Sequence, residues 1–429
     1  MSVITRKIEV FVSESNTELK KEFYKTLRDW SNTSRNYAND IMNLLQSTYF
    51  LDSINKDIDP SNKKSLNEYL ETSKRNLGYK VFAQKYRETL PSSYRSCINS
   101  YVFSNFGNSI KDVLKGESSI ISYKKDFPLL FMSKSIRGLQ MDDSGASFEF
   151  FSIPFRMKFG RDRSNNREIV DKVISGQYKM CDSSFKFYDN KLFMLMVVDI
   201  PQTKVNLIED NVLGVDLGIT HPAYVSVNTN KKFRQAIGCS ESFLQVRLAI
   251  QKQRKNISKN LKYTNGGKGR TKKMQKLDSL GIKERNFAKT MNHTISKEII
   301  NAAIKNNCAI INIENLKGIG KDEKNSFILR NWSYHELQTM IKYKAKKYGI
   351  TVNLINPRYS SQRCSNCGHI HEDNRISQSK FKCQNCDFED NADFNASKNI
   401  SIAHTKDYIK QIEKYSKNKE KKETELLKV

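Results

Sequence analysis

The chain has 429 residues, 38% of them hydrophobic, which is enough for several domains with buried cores. Its 73 Lys and Arg outnumber 46 Asp and Glu, and the formal net charge of +27 argues against an ordinary enzyme of small metabolites and predicts a polyanionic partner. Because no apolar run of about 18 residues occurs and no signal-peptide cleavage region follows the first residues, we expect a globular intracellular protein.

The first 205 residues are predicted to form a small β-domain interrupted by helices. Val3–Val12 has the alternation of a strand, and Ser15 and Glu18 have the spacing of a capping box at the start of a helix. A polar helical pattern extends to about residue 115, whereas residues 116–205 alternate as antiparallel strands. The first strand needs pairing partners that follow only after the helices, so we infer that the helices are inserted into the β-domain.

The second half of the chain has the element order of a ribonuclease-H-like α/β layer. An apolar strand ends at Asp216, two further strands complete a meander, and a helix follows from Ser242. The elements after that are a helix, an apolar strand, a helix capped by Ser333 and Glu336, and a strand after Gly349, at Thr290–Asn306, Cys308–Glu314, residues 334–348 and Ile350–Ile355.

Two regions of the second half are strongly charged. Residues 251–289 contain 13 Lys and Arg against two acids, Asp278 and Glu284, and are interrupted by a predicted loop, TNGGKGRTKK. Nucleic-acid binding and a solvated helical arm both explain this composition, and the charge of the whole chain favours nucleic acid. The last 29 residues are rich in Lys and Glu, and beyond about Tyr415 they predict a frayed helix or a disordered tail.

Three acids far apart in the sequence, Asp216, Glu314 and Asp393, are candidate metal ligands. Asp216 and Glu314 each end an apolar strand, where a carboxylate is costly to bury unless a metal or another partner neutralises it. Asp393 lies where a helix begins, and Asp390 is an alternative to it. Hydrolysis of nucleic acid by two metal ions needs several carboxylates from different elements. Single acids are more often caps or surface charges, so spacing alone leaves this role open.

Four of the eight cysteines predict a zinc ribbon. They form two pairs separated by 15 residues, Cys364-x-x-Cys367 and Cys383-x-x-Cys386. Four thiolates at this spacing predict a closed, tetrahedral and structural site without a position for a catalytic water. We interpret His369 and His371 as loop residues. The other cysteines are isolated, as suits a reducing cytosol: Cys97, Cys181, Cys239 and Cys308.

Four segments resemble the RuvC and zinc-ribbon motifs of the transposon-encoded TnpB nucleases and their CRISPR descendants. They are GVDLGI around Asp216, INIENL around Glu314, SSQRCSNCG to FKCQNC, and ADFNASKNI around Asp393. The segment LKGESSIISYKKDFPL and the upstream layout resemble the compact type V-F CRISPR effectors in particular. DNRISQSKFKC resembles the family's Asn-Arg element, which implies a catalytic role for Arg375 as a charge stabiliser near the scissile phosphate. A ribbon-tip arginine that only contacts phosphate is the alternative.

The resemblance implies a CRISPR RNA-guided double-stranded DNA endonuclease of the prokaryotic cytosol. It implies recognition of a short T-rich motif beside the target and cutting of both strands by one RuvC site, in which Asp216, Glu314 and Asp393 hold two Mg²⁺ ions, while the four paired cysteines hold structural Zn²⁺. The guide would be a crRNA with a tracrRNA or a fused single guide. Members of the type V-F family resemble one another in working as asymmetric homodimers on one guide, so we expect two copies.

The same resemblance assigns domains to a multidomain α/β chain. It implies a β-barrel-like wedge domain with a helical recognition insertion, followed by a RuvC nuclease domain that contains a zinc ribbon which binds target nucleic acid. The boundaries are 1–12 and 116–205 for the wedge, 13–115 for the recognition lobe, 206–359 for RuvC, 360–390 for the ribbon, and 391–429 for the C-terminal part of RuvC with a basic tail.

Three other functions compete with this interpretation. A TnpB-type nuclease would use a transposon-end RNA and act as a monomer. A nuclease-dead RNA-guided DNA binder would keep the charge and the ribbon but lack acids, and all three acids are present. A guide-independent resolvase or transposase of ribonuclease-H type would cut without RNA.

Overall fold

A computed structural model of the protein describes residues 2–58, 65–162, 164–188, 191–218, 221–264, 266–315, 333–356 and 358–426. They form two compact units, Val3–Pro201 and Gln202–Val429, and each unit has its own sheet and its own apolar core. Across this described part of the chain, every helix is too short or too polar to span a bilayer.

The first unit is built on an eight-stranded sheet. Its strands are β1 (Ser2–Val12), β2 (Leu129–Phe131), β3 (Ile136–Asp142), β4 (Gly145–Phe150), β5 (Ile153–Lys158), β6 (Lys179–Met180), β7 (Ser183–Tyr188) and β8 (Lys191–Ile200). The order is β2-β7-β8-β1-β5-β4-β3, with β6 beside β8. β1 pairs antiparallel with β5 and neighbours β8 on its other side. The first strand therefore lies inside a sheet of much later strands, which confirms that the helices between them are inserted.

The inserted helices are α1 (Thr17–Ile58), α2 (Leu66–Tyr69), α3 (Leu77–Phe82) and α4 (Ser92–Leu114), and a further helix, α5 (Asn166–Ile174), interrupts the strand region without having been predicted. The predicted capping box at Ser15 is wrong, because Asn16 caps α1. The Oδ1 atom of Asn16 accepts the backbone N–H groups of Glu18 at 2.9 Å and Leu19 at 3.2 Å. The Ser15 hydroxyl instead donates to the Glu14 carboxylate.

The second unit contains a five-stranded mixed sheet and a two-stranded ribbon. The sheet consists of β9 (Ile208–Asp216), β10 (Ala223–Val227), β11 (Arg234–Ile237), β12 (Cys308–Glu314) and β13 (Thr351–Ile355), and the ribbon of β14 (Lys380–Lys382) and β15 (Glu389–Asn391). In the order β11-β10-β9-β12-β13, the first three strands pair antiparallel and β9, β12 and β13 run parallel. The predicted meander and the two later strands are confirmed.

The helices of this unit are α6 (Ser240–Lys262), α7 (Gly267–Lys305), α8 (Tyr334–Lys347), α9 (Ala392–Ile402) and α10 (Lys406–Leu426). The predicted start of α7 at Thr290 is wrong, because α7 already begins at Gly267, a few residues after the end of α6. The lysines of the expected loop belong to the first turns of α7, in keeping with the good helix propensity of lysine. The Ser333 side chain makes no cap bond, and Glu336 instead accepts a hydrogen bond from Asn292 at 3.1 Å. Gly349, at φ +76°, ends α8 as predicted.

The C-terminal segment is helical in the described residues. α10 extends well past Tyr415, where the composition predicts a frayed helix or a disordered tail. Before it, α7 and α8 pack on one face of the five-stranded sheet and bury a set of aliphatic side chains there: Ile295, Ile299, Ala303, Leu337 and Ile341. This apolar face leaves the opposite face of the sheet to α9.

Candidate metal-dependent active site

The central strands β9 and β12 have one apolar face and one polar face. Four of their side chains belong to the apolar core: Leu213, Val215, Ile311 and Ile313. Because successive side chains of a strand point to opposite faces, the alternate residues point to the other face: Gly214, Asp216, Asn312 and Glu314. Val215 pairs with Ile313 in the parallel register, so Asp216 and Glu314 end neighbouring strands side by side. Both carboxyl side chains are buried.

Helix α9 covers this polar face at very short range. A Cβ atom on Gly214 would lie 2.1 Å from the backbone oxygen of Ser397, so any other residue would push the helix away. The Ser397 hydroxyl donates to the Ser226 hydroxyl of β10 at 3.0 Å. Asn312 donates from Nδ2 to a backbone carbonyl of α9, also at 3.0 Å. Glycine and small polar side chains thus fix the helix against the strand ends.

The start of α9 brings Asp393 to the two strand acids. The Oδ1 atom of Asn391 caps the helix by accepting the backbone N–H groups of Asp393 and Phe394, each at 3.0 Å. Asp393 is therefore held in the first turn, where it is only 5% exposed. The turn after Asp216 passes directly beside it, since a Cβ atom on Gly218 would lie 3.9 Å from Asp393 Oδ2.

Burial disfavours the ionised form of all three carboxyl groups. Burial raises the pKa of Asp216 well above its usual value, and the nearby charges of Glu314 and Asp393 raise it further. Burial raises the pKa of Glu314 to about 7, against the opposing effects of a Ser360 hydrogen bond and Arg375. Burial also raises the pKa of Asp393, against Arg375 and His221. Such a cluster is stable as carboxylates only with added positive charge, as divalent cations supply.

Side chains that the sequence analysis did not single out hold Glu314 and the turn after Asp216. The Ser360 hydroxyl donates to Glu314 Oε1 at 2.9 Å, and Gln338 Nε2 donates to the Glu314 backbone oxygen at 2.6 Å. The Tyr334 hydroxyl donates to the Gly218 backbone oxygen at 3.2 Å. Their partners lie 24, 46 and 116 residues earlier in the chain, so no local pattern could have indicated these roles, even for Ser360 at the start of the SSQRCSNCG segment.

Arg375 and Asp390 lie in different electrostatic settings. One guanidinium nitrogen of Arg375 is 3.6 Å from Asp393 Oδ1, and its charge opposes the rise in the pKa of all three acids. Asp390, the alternative third ligand, instead accepts Nη1 of Arg234 at 2.8 Å in an ion pair. The geometry therefore brings Asp393, and not Asp390, to Asp216 and Glu314.

The four paired cysteines meet at the base of the ribbon. The sulfur atoms of Cys364 and Cys386 are 3.8 Å apart and those of Cys367 and Cys383 are 3.6 Å apart, with all four within 4.8 Å of one another. Tetrahedral zinc with Zn–S bonds of about 2.3 Å needs sulfur atoms about 3.8 Å apart, so this set fits a closed zinc site. His369 and His371 stay outside the set, as predicted.

The acids are spaced more widely than the cysteines. Among the described residues, the cysteine set is the one group of three or more potential metal ligands whose donor atoms all lie within 4.8 Å. Ligands of a single small cation must come at least this close, whereas ligands shared between two ions about 3.5 to 4 Å apart need not. The carboxylate oxygens of Asp216, Glu314 and Asp393 therefore do not all lie within reach of one small cation in this arrangement.

Known proteins share these features. Residues 334–400 match the "Cas12f1-like, TNB domain" family. The "CRISPR-associated endodeoxyribonuclease Cas12f1" of Sulfoacidibacillus thermotolerans is 36% identical over 310 residues, which cover 68% of this chain and 72% of that relative. The chain belongs to the Cas12f1 family. Cas12f1 proteins are the compact type V-F group of TnpB-like nucleases, so the resemblance of the sequence motifs is confirmed.

Two further similarities concern the fold and the transposon branch. The Cas12f1 chain in a cryo-EM structure of a Cas12f1–sgRNA–target DNA complex superposes with a TM-score of 0.68 and 20% identity, covering 90% of this chain and 83% of that one. The multidomain α/β fold is therefore a Cas12f1 fold. The TnpB-like protein MJ0751 of Methanocaldococcus jannaschii is 35% identical over 112 residues, which cover 25% of this chain and 40% of that protein.

Replacing one zinc-site thiolate should remove the metal and unfold the ribbon. We expect Cys364→Ser to lose bound zinc, measured by mass spectrometry of the purified full-length protein, because three thiolates hold zinc far more weakly and structural zinc supplies folding free energy. Cys181→Ser, at an isolated cysteine, is the control and should retain zinc. A Cys364→Ser protein with an unchanged zinc content would contradict the structural role.

Proposed function

We propose that this Cas12f1-family chain is a CRISPR RNA-guided endonuclease that cuts both strands of double-stranded DNA at a single RuvC site. The observation that carries the proposal is the set of three buried carboxyl groups, Asp216, Glu314 and Asp393, gathered on one face of a mixed α/β sheet with Arg375 beside them. Like charges buried together need cations. Membership of the Cas12f1 family supports a DNA phosphodiester as the substrate of such a site.

Each residue of the site has a separate part in this reaction. Asp216, Glu314 and Asp393 would bind two Mg²⁺ ions, which supply stabilisation of the attacking and leaving oxygens of an in-line hydrolysis. Ser360 would orient the Glu314 carboxylate through its hydrogen bond to Oε1. Arg375 offers positive charge to the scissile phosphate, at the place where it now faces Asp393. A closed zinc site in the ribbon has no part in the chemistry and fixes the segment that carries Arg375.

The proposed domains follow the sequence boundaries. Residues 1–12 and 116–205 would form the wedge, 13–115 the recognition lobe, 206–359 and 391–429 the RuvC domain, and 360–390 the ribbon that contacts target nucleic acid. The eight-stranded sheet with its inserted helices is compatible with the first two assignments, and the five-stranded sheet with the third.

A basic helical hairpin is the proposed surface for nucleic-acid phosphates. Helices α6 and α7 are joined by Glu284, which accepts hydrogen bonds from Arg247 and Arg254, both at 2.8 Å. Both arginines therefore form ion pairs within the protein, and we assign the phosphate contacts to lysines instead. Four exposed lysines on each helix fall within about 80° of one another: Lys252, Lys255, Lys259 and Lys262 on α6, and Lys268, Lys272, Lys276 and Lys283 on α7.

The proposed partners are a guide RNA, either a crRNA with a tracrRNA or a fused single guide, and double-stranded target DNA with a short T-rich adjacent motif. The net charge of +27 suits two nucleic acids held together. We further propose an asymmetric homodimer on one guide, since a chain of 429 residues has little surface for a heteroduplex of roughly 20 base pairs. The proposed compartment is the prokaryotic cytosol.

A TnpB-type nuclease is the second candidate function, because the chain is also similar to a TnpB-like protein. The two candidates differ in the RNA that they carry. Sequencing the RNA that co-purifies from the native host tests the choice: repeat-spacer transcripts support the CRISPR assignment, and transposon-end transcripts support the TnpB assignment.

Removing one acid should separate binding from cutting. We expect Asp216→Ala to lower cleavage of both strands by at least about 100-fold, because one site serves both strands and a key electrostatic group is lost. Target affinity in the guide complex should stay near the wild-type value. Gel-shift and cleavage assays in parallel measure the two effects, with Asp210→Ala, an exposed acid on the same strand, as the matched control. An Asp216→Ala protein that still nicks one strand would exclude the single-site mechanism.

The hairpin lysines should contribute to the salt dependence of binding. We expect the simultaneous replacement of Lys268, Lys272 and Lys276 by Ala to reduce the slope of log K against log salt concentration by about 2 to 3 in magnitude. Each lost phosphate contact removes about 0.9 from that slope. The matched control removes three exposed lysines of equal spacing from α10: Lys406, Lys410 and Lys414. An unchanged slope for the α7 variant, or an equal change for both, would assign the hairpin to a solvated surface.

A further inference from the structure

Arg234 joins the ribbon to the helix that carries Asp393. Its guanidinium donates from Nη1 to Asp390 Oδ1 at 2.8 Å and from Nη2 to Asp390 Oδ2 at 3.4 Å. The same group lies over the ring of Phe394, with the guanidinium carbon 4.1 Å from the ring centroid. Asp390 is in β15 and Phe394 is in the first turn of α9, so one side chain contacts the chain on both sides of Asp393.

Asp390 also supports the cap of α9. Its Oδ1 atom accepts the backbone N–H of Asn391 at 2.7 Å, and Asn391 in turn holds the N–H groups of Asp393 and Phe394. Arg234 therefore reaches Asp393 through a continuous chain of hydrogen bonds. A group that acts on a ligand in this way controls its orientation without touching the ion.

The second turn of α9 is held by the same β-hairpin. Lys398 donates from Nζ to the backbone oxygens of Val227 at 2.6 Å and of Asn230 at 2.7 Å, at the end of β10 and in the turn that leads to β11. Arg234 begins β11 directly after that turn. The hairpin thus fixes α9 at two points, with Asp393 at the end nearest to Arg234.

The Arg234–Asp390 pair differs from an ordinary surface ion pair. The Asp390 side chain is only 16% exposed, although Arg234 is 46% exposed. In the two ion pairs between the ribbon strands, Lys380 and Lys382 with Glu389, every partner is at least 41% exposed. An exposed pair contributes little to stability. A forked guanidinium that is also stacked on a buried ring fixes geometry, which lysine cannot reproduce.

We propose that Arg234 is a positioning residue for Asp393, acting through Asp390 and Phe394, and that Asp390 serves this role and is not a metal ligand. The inference rests on the proposed function only in taking Asp393 as a ligand of the catalytic cation. Loss of the guanidinium loosens the first turn of α9 and weakens cation binding. It leaves guide and target binding unchanged.

A double-mutant cycle tests this role. Arg234→Gln, Asp390→Asn and the double variant are compared with wild type for the Mg²⁺ concentration that gives half-maximal cutting and, in the same guide complex, for target affinity. We expect each single variant to need about 10-fold more Mg²⁺, the scale of losing a group that orients a metal ligand. The double variant should be no worse than either single one, because both changes break one interaction. Target affinity and zinc content should not change.

Three results would overturn the inference. They are unchanged Mg²⁺ dependence, effects of the two single variants that add in the double variant, and weaker target binding at unchanged Mg²⁺ dependence, which would make Arg234 a phosphate contact. Arg234→Lys separates charge from geometry, and it should behave like Arg234→Gln.

If wild type does not cut guided DNA, the proposed function fails, and the same four proteins are titrated with Mn²⁺ alone by electron paramagnetic resonance. A common loss of Mn²⁺ affinity supports the positioning role, and equal affinities refute it.

Discussion

The close approach of α9 to β9 is the contact on which the candidate site depends. At Gly214 the helix backbone occupies the space that a side chain would need, and the surrounding contacts are made by Ser397, Ser226 and Asn312. Only this short distance brings an acid at a helix start beside acids at two strand ends. Without it Asp393 would be an ordinary helix-start acid, stabilised by the helix dipole and remote from Asp216. Packing of small residues therefore sets the electrostatics of the site.

The sheet explains why the acids are tolerated in a core region. Each of the strands β9 and β12 places aliphatic side chains on the face covered by α7 and α8, and this face supplies the apolar burial that holds the strands. The opposite face is free to carry Asp216 and Glu314, whose burial raises their pKa values. The ribbon and the β10–β11 hairpin then act on α9 from outside, through Arg375, Asp390 and Arg234. Stability and charge are thus divided between two faces of one sheet.

The sequence predicts features that depend on local pattern, and it does not predict features that depend on tertiary contact. Apolar strands that end in Asp216 and Glu314, and cysteine pairs at ribbon spacing, have strong local signals, and the structure contains both. The sequence predicts Ser15 as the N-cap of α1, but the structure has Asn16 there. Both residue types cap helices, so the residue type alone does not determine which of the two is the N-cap. The roles of Ser360 and Arg234 come from partners 46 and 156 residues away, which no window of sequence contains.

Burial of the ionised Asp216 carboxylate lowers the free energy of unfolding, and bound cations should reverse this loss. Melting temperatures of wild type and Asp216→Asn, each with EDTA and with Mn²⁺, measure this directly. Because folding raises the Asp216 pKa, its ionisation disfavours the fold as pH rises above the unfolded pKa of about 3.9. In EDTA the variant should therefore be about 2–8 °C more stable at pH 8, and this advantage should shrink as the pH is lowered towards 4. With Mn²⁺ the order should reverse, since only wild type gains the full binding energy. A variant that is less stable than wild type in EDTA at pH 8, or no reversal with Mn²⁺, would contradict the account.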